Sequence, residues 1–217
     1  MAHETEIKLR VEDPKKLRVK LKALGARTVG PGGGRVHELN VLFDTPQEDL
    51  RQRGQLLRIR TETRRLGASD RRKNERVLVT FKRPIAGDDS WRKDEGPLRA
   101  HKVREEIEVL VSDAASQARI LEGLGMRGWF WYEKFRTTYH LPKSQRWASR
   151  LLIEIDETPI GVFVELEGPA KSIDRAAKLL GYSRGDYIVT NYLSLYLEEC
   201  RRRGKKPRNM VFQKRNA

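Results

Sequence analysis

Glu4-Thr5-Glu6-Ile7-Lys8-Leu9-Arg10-Val11 opens the chain with a strict alternation. In an extended strand successive side chains point to opposite faces, so Ile7, Leu9 and Val11 share one side. Glu4, Glu6, Lys8 and Arg10 share the other. That second face holds both charge signs, and the question it raises is whether it meets water or a closed interior.

The same period of two recurs in seven further segments, near 36–43, 56–62, 77–82, 103–110, 131–139, 150–156 and 161–167. Leu57 and Ile59 oppose Arg58, Arg60 and Glu62. Ile107 and Val109 oppose Arg104, Glu106 and Glu108, and Phe135 opposes Lys134 and Arg136. Ile153, Ile155, Val162, Val164 and Leu166 oppose Glu154, Asp156, Glu165 and Glu167. An ordinary sheet with one solvated face also alternates. Here the polar faces carry very little Ser, Thr or Gln, and acids and bases recur together on nearly every strand. About eight strands suffice to close a barrel around side chains and one small ligand. The pattern therefore predicts an inside-out barrel, with a charged lumen and an apolar exterior on which helices pack.

Helix signals fit that exterior. Asp13-Pro14 precedes Leu17, Leu21 and Leu24, with Gly25 as a stop. Thr45-Pro46-Gln47-Glu48 reads as a capping box for a short helix closed by Gly54. Ser112 and Ser172 are read as caps of helices running to Gly125 and Gly181. A last helix spans roughly Thr190 to Arg203.

The 217 residues suit one domain, read as a tunnel domain over 1–203 followed by a basic tail over 204–217. A formal charge of +15 calls for an anionic partner. No apolar run reaches membrane-span length and Met1–Arg10 lacks the apolar stretch of a signal peptide, so a cytoplasmic protein without a membrane partner is expected. The single Cys200 fits a reducing compartment, and the four histidines lack zinc-ligand spacing.

Glu4-x-Glu6-x-Lys8 sets two carboxylates and an ammonium on one strand face, which suits a hard divalent cation beside a phosphate. Glu165-x-Glu167 repeats the paired carboxylates, and two such pairs facing one lumen could share Mg²⁺ or Mn²⁺. Glu106-x-Glu108 and Glu154-x-Asp156 add further candidate ligands, one pair of which would only balance nearby arginines. Lys8, Arg58, Arg60, Lys82, Lys134 and Arg136 form the basic counterpart, suited to phosphate oxygens. The competing readings are a solvated strand face and an internal salt-bridge lattice without a ligand. Gly30-Pro31-Gly32-Gly33-Gly34-Arg35 lacks the ending of a phosphate loop and is read as a flexible connector. Residues 64–76 are read as a long exposed hairpin loop. Trp129-Phe130-Trp131-Tyr132 is read as outer-wall packing. The tail Arg201-Arg202-Arg203-Gly204-Lys205-Lys206 could touch nucleic acid, but it is read as a solvated, partly mobile terminus. Trimming residues 204–217 should hardly matter, and a nucleic-acid partner is not expected.

Taken in order, these segments resemble a known family. Glu4-x-Glu6-x-Lys8, Phe43-Asp44-Thr45-Pro46, Gly54-x-x-Leu57-Arg58-Ile59-Arg60 and Thr80-Phe81-Lys82 are similar to the CYTH superfamily, the triphosphate tunnel metalloenzymes. So are Arg104-Glu105-Glu106-Ile107-Glu108, Glu133-Lys134-Phe135-Arg136, Ile155-Asp156-Glu157 and Gly161-x-Phe163-x-Glu165-x-Glu167-Gly168. The resemblance implies an α+β fold built on a closed eight-stranded antiparallel tunnel, a need for Mg²⁺ or Mn²⁺, and chemistry on a triphosphate. By the family pattern Glu4, Glu6, Glu165 and Glu167 would hold metal. Lys8, Arg58, Arg60, Lys82 and Arg136 would hold phosphates. Leu42 and Asn40 depart from the family's usual tyrosine and acid, and Arg184 is the candidate for its C-terminal basic residue.

Three functions follow from that frame. The leading one is hydrolysis of a triphosphate (inorganic, nucleoside or thiamine), with Lys82 assisting proton transfer if neighbouring cations lower its pKa. Class IV adenylyl cyclase chemistry, ATP to cyclic AMP and diphosphate, uses the same residue types. A non-catalytic polyphosphate- or RNA-binding module is the third, disfavoured because anion binding gains nothing from so many glutamates.

Overall fold

The computed structural model describes residues 2–65, 73–85 and 101–213. Its strands are β1 (Ala2–Val11), β2 (Arg27–Thr28), β3 (Arg35–Asp44), β4 (Leu56–Arg65), β5 (Lys73–Arg83), β6 (Lys102–Val111), β7 (Arg127–His140), β8 (Leu152–Thr158) and β9 (Gly161–Glu167). The helices are α1 (Pro14–Ala23), α2 (Asp49–Gln52), α3 (Ala114–Gly123), α4 (Ala170–Leu179) and α5 (Tyr192–Arg202). Neighbouring strands run β7-β3-β4-β5-β6-β1-β9-β8, and β8 pairs back onto β7. The sheet is thus a closed eight-stranded antiparallel barrel, with the short β2 added beside the far end of β7.

Closure works because each strand keeps its apolar set outward. Ile7, Leu9, Ile153, Ile155, Val164 and Leu166 form one outer core with Leu17 and Leu21 of α1 and Ile173, Ala176 and Ala177 of α4. Each such side chain removed from water contributes about 1.5–3 kcal/mol. Phe43, Leu57, Ile59 and Val77 form a second with Leu121 of α3. A slip by one residue would exchange these with the charged set, so burial fixes the register. The outer face of β6 is the exception. Ile107 and Val109 point outward as expected but stay 49% and 52% exposed, because no helix covers them.

The helix starts differ from the sequence reading in detail. Asp13 caps α1 by accepting from Lys15 and Lys16 N–H. Asp113, not Ser112, caps α3. Ser172 lies inside α4 and donates to the Trp147 carbonyl. For α2 the expected capping box is displaced: Asp44 accepts from the N–H groups of Thr45, Leu50 and Arg51, and Glu48 adopts a left-handed backbone. Residues 31–34 form a 3₁₀ turn rather than an open connector. The expected hairpin loop is shorter than read, since β4 runs through Arg65 and β5 starts at Lys73; residues 66–72 lie outside the described residues.

The C-terminal tail is the larger correction. Residues 201–209 are exposed, but Met210 is 1% exposed and pairs in parallel with β7. Met210 N–H donates to the Trp131 carbonyl, and Glu133 N–H donates to the Met210 carbonyl, both at 2.9 Å. β8 pairs only with Phe135–Tyr139 of β7, so the tail covers the edge that β8 leaves bare. The chain end is part of the barrel wall.

Candidate functional site in the barrel lumen

Inward-pointing residues of all eight strands gather around two kinds of surrounding. In the first, charge is saturated. Asp156 is fully buried and accepts from Lys134 Nζ at 2.8 Å, from Arg136 Nε at 2.7 Å and from the Tyr192 hydroxyl at 2.7 Å. Arg136 also pairs with Glu154, Glu165 and Glu38. Glu38 takes further contacts from Arg60 at 3.4 Å and Lys134 at 3.5 Å. Burial alone would raise the Glu38 carboxyl, but Arg60, Lys134 and Arg136 together hold it well below the usual carboxylate range. Desolvating such charges costs several kcal/mol per ion, so the lattice is tolerable only through its ion pairs. Glu38 Oε2 and Glu154 Oε2 are buried with cationic neighbours but without a hydrogen-bond donor.

The β1 carboxylates and lysines form a second layer. Glu6 accepts from Lys8 Nζ at 3.0 Å and from Lys102 Nζ at 2.6 Å. Lys8 also lies 3.3 Å from Glu165. Burial raises Glu6 and Glu165, yet the neighbouring lysines (joined by Arg136 at Glu165) outweigh it and keep both ionised. Lys82 pairs with Glu4, and with Glu106 at 3.3 Å. Burial and Arg58 pull Lys82 down, but Glu4, Glu6 and Glu106 win and raise its pKa. The expectation that neighbouring cations prepare Lys82 as a proton acceptor therefore fails. Lys102 is the lysine that is lowered, by burial and by Lys8, Arg104 and Lys82.

Elsewhere the lumen is unsaturated. Glu167 has no hydrogen-bond or ion-pair partner among the described residues, and burial with repulsion from Glu4 and Glu154 pushes its carboxyl up to about 8. Glu154 is pushed up to about 7, first by burial and then by Asp156 and Glu165 against Arg136. Gly168 fixes the end of β9 here: its φ is +144°, and a Cβ would lie 2.5 Å from the Arg150 carbonyl oxygen. Arg58 donates to the Tyr132 hydroxyl at 3.1 Å and to Thr80 at 3.2 Å, while its buried Nε has no hydrogen-bond partner. Asn40 Nδ2 is likewise buried and unpartnered. Glu108 sits at the rim, exposed, and accepts from Thr80.

The structure thus brings Glu4, Glu6, Lys8, Arg58, Arg60, Lys82, Glu106, Lys134, Arg136, Asp156, Glu165 and Glu167 to one lumen, with Glu108 at its edge. Arg184 is not among them; it pairs with Asp174 on the outside. The sequence reading missed Glu38, Lys102 and Tyr192. Glu38 and Lys102 share the inward parity of Asn40 and Arg104, which is the signal that would have found them. Tyr192 comes from α5, where no strand periodicity applies. The aromatic run also differs from its reading as outer wall. Phe130 and Tyr132 share the parity of the inward Lys134 and Arg136 and so face inward, and a bulge at Trp129 shifts the register only before them. With Leu42, Phe163, Tyr192, Leu195 and Met210 they form an apolar cluster between the barrel strands and α5.

As they stand, no three His, Cys, Asp or Glu side chains among the described residues are gathered tightly enough to hold a metal ion. The donor chemistry nonetheless fits a hard divalent cation, because the Glu167 side chain is crowded by the carboxylates of Glu4, Glu154 and Glu6, with Lys82 only a weaker counterweight that makes no ion pair with it.

The CYTH domain model matches residues 2–189. The chain belongs to the CYTH domain family. A "putative adenylate cyclase" of Methanocaldococcus jannaschii is 28% identical over 203 residues, spanning 88% of this chain and 97% of that protein. The fold of this CYTH chain also matches solved structures. A "putative adenylate cyclase" from Vibrio parahaemolyticus superposes with a TM-score of 0.66 at 17% identity, covering 88% of this chain and 96% of the other. A "putative adenylyl cyclase" from Hippeastrum, described as having a dominant triphosphatase activity, superposes with a TM-score of 0.57 at 19% identity, covering 94% and 97%. At such identities the two structures speak for the fold. Among the described residues no helix of this CYTH chain is long and apolar enough to cross a membrane.

Proposed function

We propose that the lumen binds the phosphates of a triphosphate and hydrolyses it with the help of a divalent cation, Mg²⁺ or Mn²⁺. One observation carries this reading: a closed barrel buries a belt of cations in which Arg58 Nε and Asn40 Nδ2 are donors without acceptors. Buried unsatisfied donors cost free energy, and phosphate oxygens are the acceptors such a belt would meet. The leading hypothesis assigns Lys8, Arg58, Arg60, Lys82, Lys134 and Arg136 to the phosphates. Lys82 acts there as a fixed positive charge, consistent with its raised pKa. Neutralising a leaving diphosphate is work for such preorganised cations.

Glu4, Glu6, Glu165 and Glu167 are the proposed metal ligands, with Glu106 and Glu108 nearby. When bound, the cation would neutralise phosphate charge and polarise the phosphoryl group under attack. Asp156 is moved out of that set in our proposal, because it takes four hydrogen bonds from Lys134, Arg136 and Tyr192, more than Glu4, Glu6 or Glu165 take. The domain we propose extends through residue 213 rather than ending at 203, given the docking of Met210. The reducing cytoplasm proposed for it is consistent with the free Cys200.

Cyclisation of ATP is the second reading, favoured by the names of the relatives. Hydrolysis leads because, apart from the sealed cluster around Phe130 and Tyr192, the lumen is lined mainly by charge. Incubation with ATP and with tripolyphosphate, each with Mg²⁺ or Mn²⁺, separates the readings by product. Orthophosphate supports hydrolysis, and cyclic AMP with diphosphate supports the cyclase. Absence of turnover under every condition would overturn both.

A further inference from the structure

The basic segment after α5 lies outside the CYTH-matched region and outside the lumen, yet it is held in place. Lys205 N–H donates to the Cys200 carbonyl, Arg208 N–H donates to the Tyr196 hydroxyl at 3.1 Å, and Met210 closes the loop onto β7. Between these anchors Arg201, Arg202, Arg203, Lys205, Lys206 and Arg208 are all exposed. Arg202 and Arg203 pair with Glu199. Arg201, Lys205, Lys206 and Arg208 have no acidic partner among the described residues. Arg201 on the last turn of α5 and Lys205, Lys206 and Arg208 on the loop beyond it, fixed at both ends, form a surface whose ordering cost is already met by folding.

An aromatic residue of β7 is joined to that segment through its backbone. The Trp131 backbone N–H donates to the Asn209 side-chain oxygen at 3.1 Å, so the residue after Arg208 is tied to the strand that carries the indole. Its indole lies across Gly128, within 3.5 Å of where a Cβ would be, and Trp131 remains 36% exposed. Positive charge next to an accessible indole is the combination that holds single strands, since phosphates meet the cations and an unpaired base stacks on the ring.

We propose that the loop 201–209 together with Trp131 is an external binding surface for single-stranded nucleic acid. It departs from the expectation drawn from sequence, where the tail was read as a solvated end. What changes the reading is that the tail is pinned to β7 at the residue that carries the partly exposed Trp131 indole. The surface is independent of what the lumen does.

The test is fluorescence anisotropy of the full chain with a labelled oligothymidylate or oligouridylate of about 15 residues, near the upper site size for such surfaces. Titrations are run across a range of salt and with saturating tripolyphosphate, which occupies the lumen if the proposed function holds. Binding should persist with tripolyphosphate present. The triple variant Lys205→Glu, Lys206→Glu, Arg208→Glu should bind at least about tenfold more weakly, with the log–log salt slope reduced by about 2, since each single-strand phosphate contact contributes about 0.7. Trp131→Ala should weaken oligonucleotide binding about fivefold or more without changing that slope. It should leave binding of a long polyphosphate of equal charge unaltered, because polyphosphate has no base to stack. If the charge-reversed variant fails to fold, judged by its melting curve, Lys205→Gln with Arg208→Gln gives the same reading in milder form. Displacement of the oligonucleotide by tripolyphosphate, but not by chloride at matched ionic strength or by tripolyphosphate in Arg58→Ala, would place it in the lumen and overturn the proposal. So would undiminished affinity of the loop variants, indifference to Trp131→Ala, or tighter binding to phosphatidylserine vesicles than to the oligonucleotide.

Discussion

Asp156 and Glu167 stand on the two strands of one hairpin, both facing the lumen, in opposite surroundings. Asp156 is fully buried and accepts from Lys134, Arg136 and Tyr192. Glu167 has no partner among the described residues, and its carboxyl is pushed up to about 8 by burial and by its acidic neighbours Glu4 and Glu154. A carboxylate already holding four hydrogen bonds serves to hold the barrel together. A carboxylate crowded by its own kind lacks a positive charge, and a ligand can supply it. The same functional group on the same face of one hairpin thus divides into scaffold and candidate ligand, and satisfaction of hydrogen bonds separates the two.

The comparison breaks most visibly in activity. Replacing Glu165 and Glu167 by Gln, or adding excess chelator, should cut triphosphate turnover by about a hundredfold or more, several kcal/mol of lost charge stabilisation. The circular dichroism spectrum should stay native. Full activity in chelator would remove the metal from the account. Next comes stability on the saturated side. Asp156→Ala leaves Lys134 and Arg136 short of a buried partner and should cost about 3–5 kcal/mol in urea unfolding. A neutral result would mean that the lattice around Asp156 is dispensable.

Between these two extremes lies Arg58, half satisfied. Arg58→Ala, and likewise Arg60→Ala, should weaken triphosphate affinity by about 1.5–3 kcal/mol, the range for charge-assisted hydrogen bonds, read by calorimetry. The smallest effect sharpens the Glu167 side. Its carboxyl titrates at 4.5 ordinarily and at about 8 in the fold, so between those values the folded chain holds a proton that the unfolded chain has released. Stability from this group is complete below about 4.5 and is lost as pH rises through 8. In metal-free buffer the melting temperature should therefore decline over that window. The decline should flatten in Glu167→Gln and on adding Mg²⁺; a slope unchanged in both would detach Glu167 from the titration.

The barrel was legible because its signal is arithmetic. Ile7, Leu9, Ile59, Ile155 and Val164 alternate with charge at a period that survives any tertiary context, and their inward partners follow by parity. Chemistry at each inward position was less legible. Nothing in the period distinguishes Asp156 from Glu167, because the difference lies in which donors arrive from β7 and α5. Lys82 shows the same limit: its raised pKa depends on Glu4, on a strand separated from it by β6. Irregular backbone was the least readable, as the bulge at Trp129 and the docking of Met210 obey no repeat.

The position of Met210 also bears on how this barrel comes to exist. β1 pairs with β9, the Lys8 backbone pairs with Ile188, and β7 is finished by residue 210. β1 must wait for β9 before its second edge is covered, and β7 must wait for Met210. Contacts of such sequence separation are entropically slow to form. Refolding is expected to be limited by this late closure, with the charged lumen open to water until β9 and Met210 have docked.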